Sequence, residues 1–269
     1  MATIVAGNTT YNYDVLKVAF ENQLNTKLSF APFYTTDNSL VGVAGDKVRI
    51  NKYTATDGTE TLAVGEGNSK AITVSFAEED YTIKLLQNKF AWNDEQAMKD
   101  PNILIKGQQH MVDDMLNTVN KECVAEFDKA TLTVSYTASE GITFNTIVDA
   151  LAKFPDNEQN DMPVFMLAHR DDVAAIRKSL EDDLKFVEAY VRSGYIGTVC
   201  GVNIYTSDLM TAGSPVLATK EAVTYFNKKG VEMESYRDAD HRYNELYSRK
   251  YGVFALTDAR KAVKLVKGA

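Results

Sequence analysis

The side chains that could do chemistry are few and scattered. His169 stands directly before Arg170, Asp171 and Asp172. At the carboxyl end of a strand such a cluster could move protons. The same four residues also suit a plain helix start, where the dipole of the first turn favours acidic side chains, and that simpler reading is preferred. His241 follows Asp238 and Asp240, a set that could ligate a metal, but Arg237 to Arg242 is equally a charged turn between strands. His110 has no second histidine four residues away, so it belongs to no zinc-protease pair. Cys123 and Cys200 have neither metal-ligand spacing nor the pattern of a disulfide framework, and both are expected as buried free thiols. The Gly65-x-Gly67 pair lacks the third glycine and the following helix of a dinucleotide site, and neither a phosphate loop nor a nucleophile elbow occurs. The carboxylate pairs Glu78/Glu79, Asp113/Asp114 and Asp182/Asp183 are sequence neighbours, which point apart on a helix or a strand. The expectation is no catalytic group, no metal site and no cofactor.

Composition narrows the class further. The chain has 269 residues and 45% hydrophobic residues, enough for a sizeable core. A net charge of −8 disfavours direct binding to a phosphate backbone, although a container with such a surface could hold DNA without sticking to it. The first residues lack the basic and apolar regions of a signal peptide, and no apolar run approaches the ~20 residues that cross a bilayer. The chain is therefore expected to be soluble and intracellular when made, with no membrane partner.

The positioning elements follow from periodicity. Residues 1–40 read as an arm, with a short amphipathic stretch through Leu16, Val18, Phe20 and Leu24. Phe30, Phe33 and Tyr34 flank Pro32 and are expected to dock on a neighbouring surface. Lys47 to Asn51 alternates as a strand with one wet face, and Ile72 to Phe76 reads as its return. Between them lies a polar stretch from Thr54 to Lys70, punctuated by Asp57-Gly58 and Gly65-Glu66-Gly67. With about a dozen residues per strand at ~3.3 Å each, this hairpin would reach about 40 Å. An isolated ribbon is marginally stable in water, so a partner must cover it, most simply another copy of the chain. After Asp100-Pro101, Met111, Met115, Leu116, Val119, Cys123 and Phe127 mark one face of a long helix, with Gln108, Asp113, Asp114, Asn117, Asn120 and Lys121 opposite. Further elements are a strand at Leu132 to Tyr136, a helix from Thr143 to Lys153, a buried strand at Val164 to Ala168, a helix after His169, strands at Val199 to Tyr205 and Val216 to Ala218, a helical piece from Lys220 to Phe226, and strands at Val231 to Tyr236, Tyr243 to Tyr251 and Ala262 to Val266.

This order of parts resembles the major capsid protein of tailed bacteriophages, the HK97-type shell fold. The resemblance rests on Ile72 to Phe76 running to Ile83-Lys84-Leu85-Leu86, on Phe165 to Arg177, on Gly197 to Ser207, and on Arg249 to Val253 followed by Val263 to Val266. It implies an α+β fold with an N-terminal arm (1–41), an extended hairpin or E-loop (42–90), a P-domain with a spine helix (91–155), an A-domain (156–230) and C-terminal strands returning to the P-domain (231–269). The implied function is self-assembly into an icosahedral head around genomic DNA. The implied partners are copies of the chain in pentamers and hexamers, a separate scaffolding protein and a portal. The implied location is the virion, assembled in the host bacterial cytoplasm. Asp57, Glu60, Glu66 and Lys70 at the hairpin tip are the candidate inter-subunit contacts. Some relatives remove a long N-terminal scaffolding segment; this chain reaches the arm at once, so scaffolding is expected as a separate protein or the sequence as already mature. Some weld subunits through a Lys–Asn bond, and although Lys70, Asn51, Asn68 and Asn244 are present, nothing marks a pair. Residues 183–197 and 206–215 both qualify as the loop at a symmetry axis. Two alternatives remain at this point: an encapsulin-type nanocompartment shell, and a small α/β enzyme using His169.

Overall fold

The computed structural model describes residues 30–100, 102–137, 141–154, 163–180 and 198–268. The amphipathic stretch from Leu16 to Leu24, Asp182, Asp183 and the loop 183–197 lie outside them.

Two sheets and a separate ribbon carry the fold. The first sheet has the order β1 (Thr35–Asp37), β10 (Val223–Asp238), β11 (Tyr243–Leu256), β4 (Lys84–Asn93). β1 runs parallel to β10, and the other pairs are antiparallel. The second sheet has the order β5 (Leu132–Tyr136), β12 (Ala262–Lys267), β9 (Val216–Ala218), β6 (Phe165–Ala168), β8 (Val202–Thr206), β7 (Thr198–Val199). Among the described residues, β2 (Lys47–Ala55) and β3 (Val74–Thr82) pair only with each other.

Four α-helices are described: α1 (Asp94–Lys99), α2 (Ile103–Phe127), α3 (Phe144–Leu151) and α4 (Arg170–Ser179). The long helix α2 spans 25 residues, about 37 Å at 1.5 Å per residue. Its first half lays Met111, Val112 and Met115 on Trp92, Val231, Met233 and Leu246 of the first sheet. Its second half carries Val119, Cys123 and Phe127 into a core shared with Phe165, Val223 and Phe254. Gly107 brings the helix against β4, because a Cβ there would lie 2.3 Å from the Phe90 ring. Ahead of the helix, Asp100 Oδ1 accepts from the Asn102 amide at 2.9 Å and caps the turn.

The centre of the second sheet, β6 and β9, is buried on both faces. In β6 alternate residues serve different cores: Phe165 and Leu167 meet α2, while Met166 and Ala168 meet α3 and α4 through Ile147, Ala150, Val173 and Ile176. A continuous apolar run is what a strand buried on both sides requires.

Three expectations need correction. Phe30, Phe33 and Tyr34 do not await a neighbour: they are buried in their own chain, with the Phe33 ring 4.8 Å from that of Phe165. Lys220 to Phe226 is no helix. Residues 219–222 turn back on themselves, and Val223 onward pairs with β11 and β1, so β-branched and aromatic side chains find sheet partners that outweigh helix propensity. Asn120, expected on the wet face of α2, is buried at 3% exposure. The last strand, β12, pairs with β5 and β9 in the second sheet.

Candidate functional site: an exposed ribbon

The catalytic candidates disperse. His169 caps α4, its Nδ1 accepting from the Asp171 amide at 3.3 Å. Asp172 turns away to accept from the Gly213 amide at 2.9 and 3.0 Å, and Arg170 pairs with Asp208. Three neighbouring side chains therefore serve three separate structural contacts. Asp238 organises its own turn, accepting from the amides of Asp240 and His241 and facing the His241 ring at 2.8 Å. Among the described residues no group of three His, Cys, Asp or Glu could hold a metal ion. Cys123 is buried, and burial pushes its thiol far upward, so it is an inert packing group. Cys200, expected buried, is half-buried in the tight turn between β7 and β8 with φ +52°.

What stands out is the ribbon. β2 and β3 pair over nine residues each, from Lys47↔Thr82 to Ala55↔Val74, about 30 Å at ~3.3 Å per residue. The reach is shorter than the expected 40 Å, and the return strand begins at Val74 and runs on to Thr82. Alternation divides its side chains between two faces. At the root of one face, Val48 and Tyr81 pack on Val253 and Ala255 of β11, with Ile50, Ile83 and Phe226 around them. The Lys52–Glu79 ion pair continues that face outward. Burial works to raise the Glu79 carboxyl, but the ammonium bonded to it from Lys52 and the nearby Lys129 hold it below its ordinary range.

The opposite face has no cover among the described residues. Near the root, Arg49 bonds Asp80 at 2.8 Å and Glu78 at 2.8 Å, and that guanidinium holds the Asp80 carboxyl low. Beyond it come Tyr53 and Phe76, cross-strand partners with ring centroids 6.1 Å apart. They are 68% and 60% exposed, and Val74 and Ile72 beside them 60% and 63%. Exposed pairs such as Arg49–Asp80 contribute about 0–1 kcal/mol each. A contiguous exposed apolar face on a two-stranded ribbon is a candidate contact surface.

The tip, residues 56–73, is ordered from within. Glu60 accepts from the Ser69 amide at 2.8 Å and its hydroxyl at 2.6 Å, bonds that pull the Glu60 carboxyl below its usual range. Glu66 accepts from the Ala63 amide at 3.2 Å. Thr56 closes the base with Thr73. Of the four tip candidates, then, Glu60 and Glu66 bond within their own loop. Asp57 and Lys70 remain exposed and form no ion pair among the described residues. The residues missed in the sequence are Tyr53, Ala55 and Arg49. A visible signal existed: apolar residues sit at even positions through Val48 and Ile50 and change to odd positions at Tyr53, which means the apolar face switches sides halfway along the strand.

The exposed ribbon thus stands on a body whose long helix packs against both sheets. Residues 77–265 match the family described as phage capsid protein. The chain belongs to the phage capsid protein family. As a capsid protein it is 26% identical over 266 residues to the major capsid protein of Staphylococcus phage phiMR11, covering 95% of this chain and 93% of that protein. Its fold is that of HK97-like capsids. It superposes with a TM-score of 0.72 on the capsid of a native GTA particle, at 12% identity and 90% coverage of both chains. The mature capsid of bacteriophage PhiM1 gives 0.68, at 12% identity, covering 88% of this chain and 86% of that one. The capsid protein is a structural subunit of a phage head shell.

Proposed function

We propose that the capsid protein closes its shell by laying the ribbon, β2, β3 and the tip between them, over a neighbouring copy in rings of five and six. The observation that carries this reading is the exposed Tyr53–Phe76 face with Val74 and Ile72. Asp57 and Lys70 at the tip add charged contacts. The domain division that goes with it is arm 1–41, ribbon 42–90, spine domain 91–155, A-domain 156–230 and returning strands 231–269, with β12 contributing to the A-domain sheet. The described loop at 206–215 is the candidate axial loop. The net charge of −8 suits a wall that encloses DNA without binding it specifically. A separate scaffolding protein and a portal complete assembly in the host cytoplasm, and the subunit performs no catalysis. A nanocompartment shell is the competing reading, because the fold alone does not separate the two kinds of shell. The family match and the phage relative favour the head shell. Deleting Thr56 to Ser69 tests the ribbon's role: the shortened subunit should stay folded and fail to form shells. Normal shells from that deletion would refute it.

A further inference from the structure

Charge ties the root of the ribbon to the last two turns of α2. Lys84, at the start of β4, bonds Glu122 at 3.0 Å. One turn on, Glu126 is 8% exposed, and its Oε1 accepts from Lys129 Nζ at 2.7 Å. Its Oε2 is buried with no hydrogen-bond partner among the described residues, so the Lys129 ammonium is the charge that compensates this carboxylate. The same ammonium stands 5.5 Å from the centroid of the Tyr81 ring, on β3. It also helps to hold the Glu79 carboxyl of the ribbon low. Lys129 thus joins a carboxylate of the long helix to the aromatic ring that plugs the ribbon into β11.

We propose that Lys129 is a positioning residue that sets the angle between the ribbon and the long helix and, through that angle, the curvature of the shell. This rests on the shell reading above. The ribbon is a lever of about 30 Å, so a tilt of roughly 10° at its root moves the tip by ~5 Å, about one strand spacing. A contact surface displaced that far meets a different part of its neighbour. Apolar packing of Val48 and Tyr81 on Val253 and Ala255 resists sliding but is non-directional. The charges on α2 and just beyond it give the root a defined direction.

The test compares the full-length chain with Lys129→Met and Lys129→Arg. Two readouts are used: shell diameters by electron microscopy, and exchange of the Ile83 amide, which donates to the Asp46 carbonyl at 2.8 Å across the ribbon root. Lys129→Met should keep its near-UV circular dichroism, exchange the Ile83 amide about fivefold faster or more, and give shells of clearly wider diameter spread. Lys129→Arg should restore both. Wild-type exchange and a wild-type diameter distribution in Lys129→Met would overturn the proposal. So would loss of shells with Ile83 exchange unchanged, because Lys129 would then act at the contact itself. A wild-type chain that stays monomeric would refute the shell reading separately, and the exchange comparison would still decide whether Lys129 holds the ribbon.

Discussion

Replacing Phe76 by serine removes one ring from the uncovered face of the ribbon, where its aromatic partner within the chain is Tyr53. Phe76 is 60% exposed in the subunit. An aromatic side chain carries roughly 200 Å² of surface, so about 120 Å² is available to a neighbour. At about 25 cal/mol per Å², covering it contributes ~3 kcal/mol to each ribbon contact, and somewhat less where coverage is incomplete. Losing about 2–3 kcal/mol per subunit should raise the critical concentration for assembly ~30- to 150-fold. The isolated subunit should hardly notice, since exposed substitutions change stability by no more than about 0.5 kcal/mol. Light scattering against subunit concentration gives the first quantity and urea denaturation the second. A Phe76→Ser subunit with unaltered stability and an unaltered critical concentration would refute the claim that this face is buried between copies.

Substitutions at three other positions probe the body of the subunit. Gly107→Ala places a methyl group 2.3 Å from the Phe90 ring, which is itself stacked on Trp92 at 5.1 Å. The overpacking outweighs the better helix propensity, and urea titration should show a net loss of about 1–2 kcal/mol. Asp172→Ala leaves the Gly213 amide without its acceptor and should cost about 1–2 kcal/mol, while Asp172→Asn, which keeps an acceptor, should cost clearly less in the same assay. Burial lowers the Lys250 ammonium from its usual range to about 8, with the charge held 4.8 Å over the Tyr225 ring. Because the unfolded chain binds this proton more tightly, the buried charge weakens the fold fully below pH 8, and the penalty fades as pH rises from about 8 toward 10.5. Lys250→Met should therefore stabilise the subunit by about 2 kcal/mol at pH 7, and urea midpoints measured at rising pH should show the advantage shrinking toward pH 10.

Much of this architecture is readable in residue order. The long helix is legible because Met111, Met115, Val119, Cys123 and Phe127 keep a strict helical period, and all five are buried. The buried strand at Phe165 to Ala168 is legible because an unbroken apolar run between breakers admits few other fates. The ribbon is legible in existence but not in extent. Glu78, Glu79 and Asp80 look like loop residues, and they become strand only because Arg49 and Lys52 stand opposite them. The strand starting at Val223 is hidden for a similar reason: its partners, Ala255 and Thr35 among them, are remote in sequence. The arm misleads in another way. Phe30, Phe33 and Tyr34 have no periodicity, and whether such residues fill their own core or a neighbour's depends on a cavity beside Phe165 that local sequence cannot describe. At the site, the charged tip residues drew the eye, whereas Glu60 and Glu66 are spent on shaping the loop. The surface suited to binding lies one step back, on Tyr53 and Phe76.

The central claim is that copies of this chain close into a shell through their ribbons. It is tested most directly by negative-stain electron microscopy of the purified chain, alone and with its ribbon face altered by Phe76→Ser. The account predicts closed polyhedral shells of uniform size from the unaltered chain, and free subunits from the variant at the same concentration. Unaltered protein that remains strictly monomeric, or variant shells indistinguishable from the unaltered ones, would contradict it.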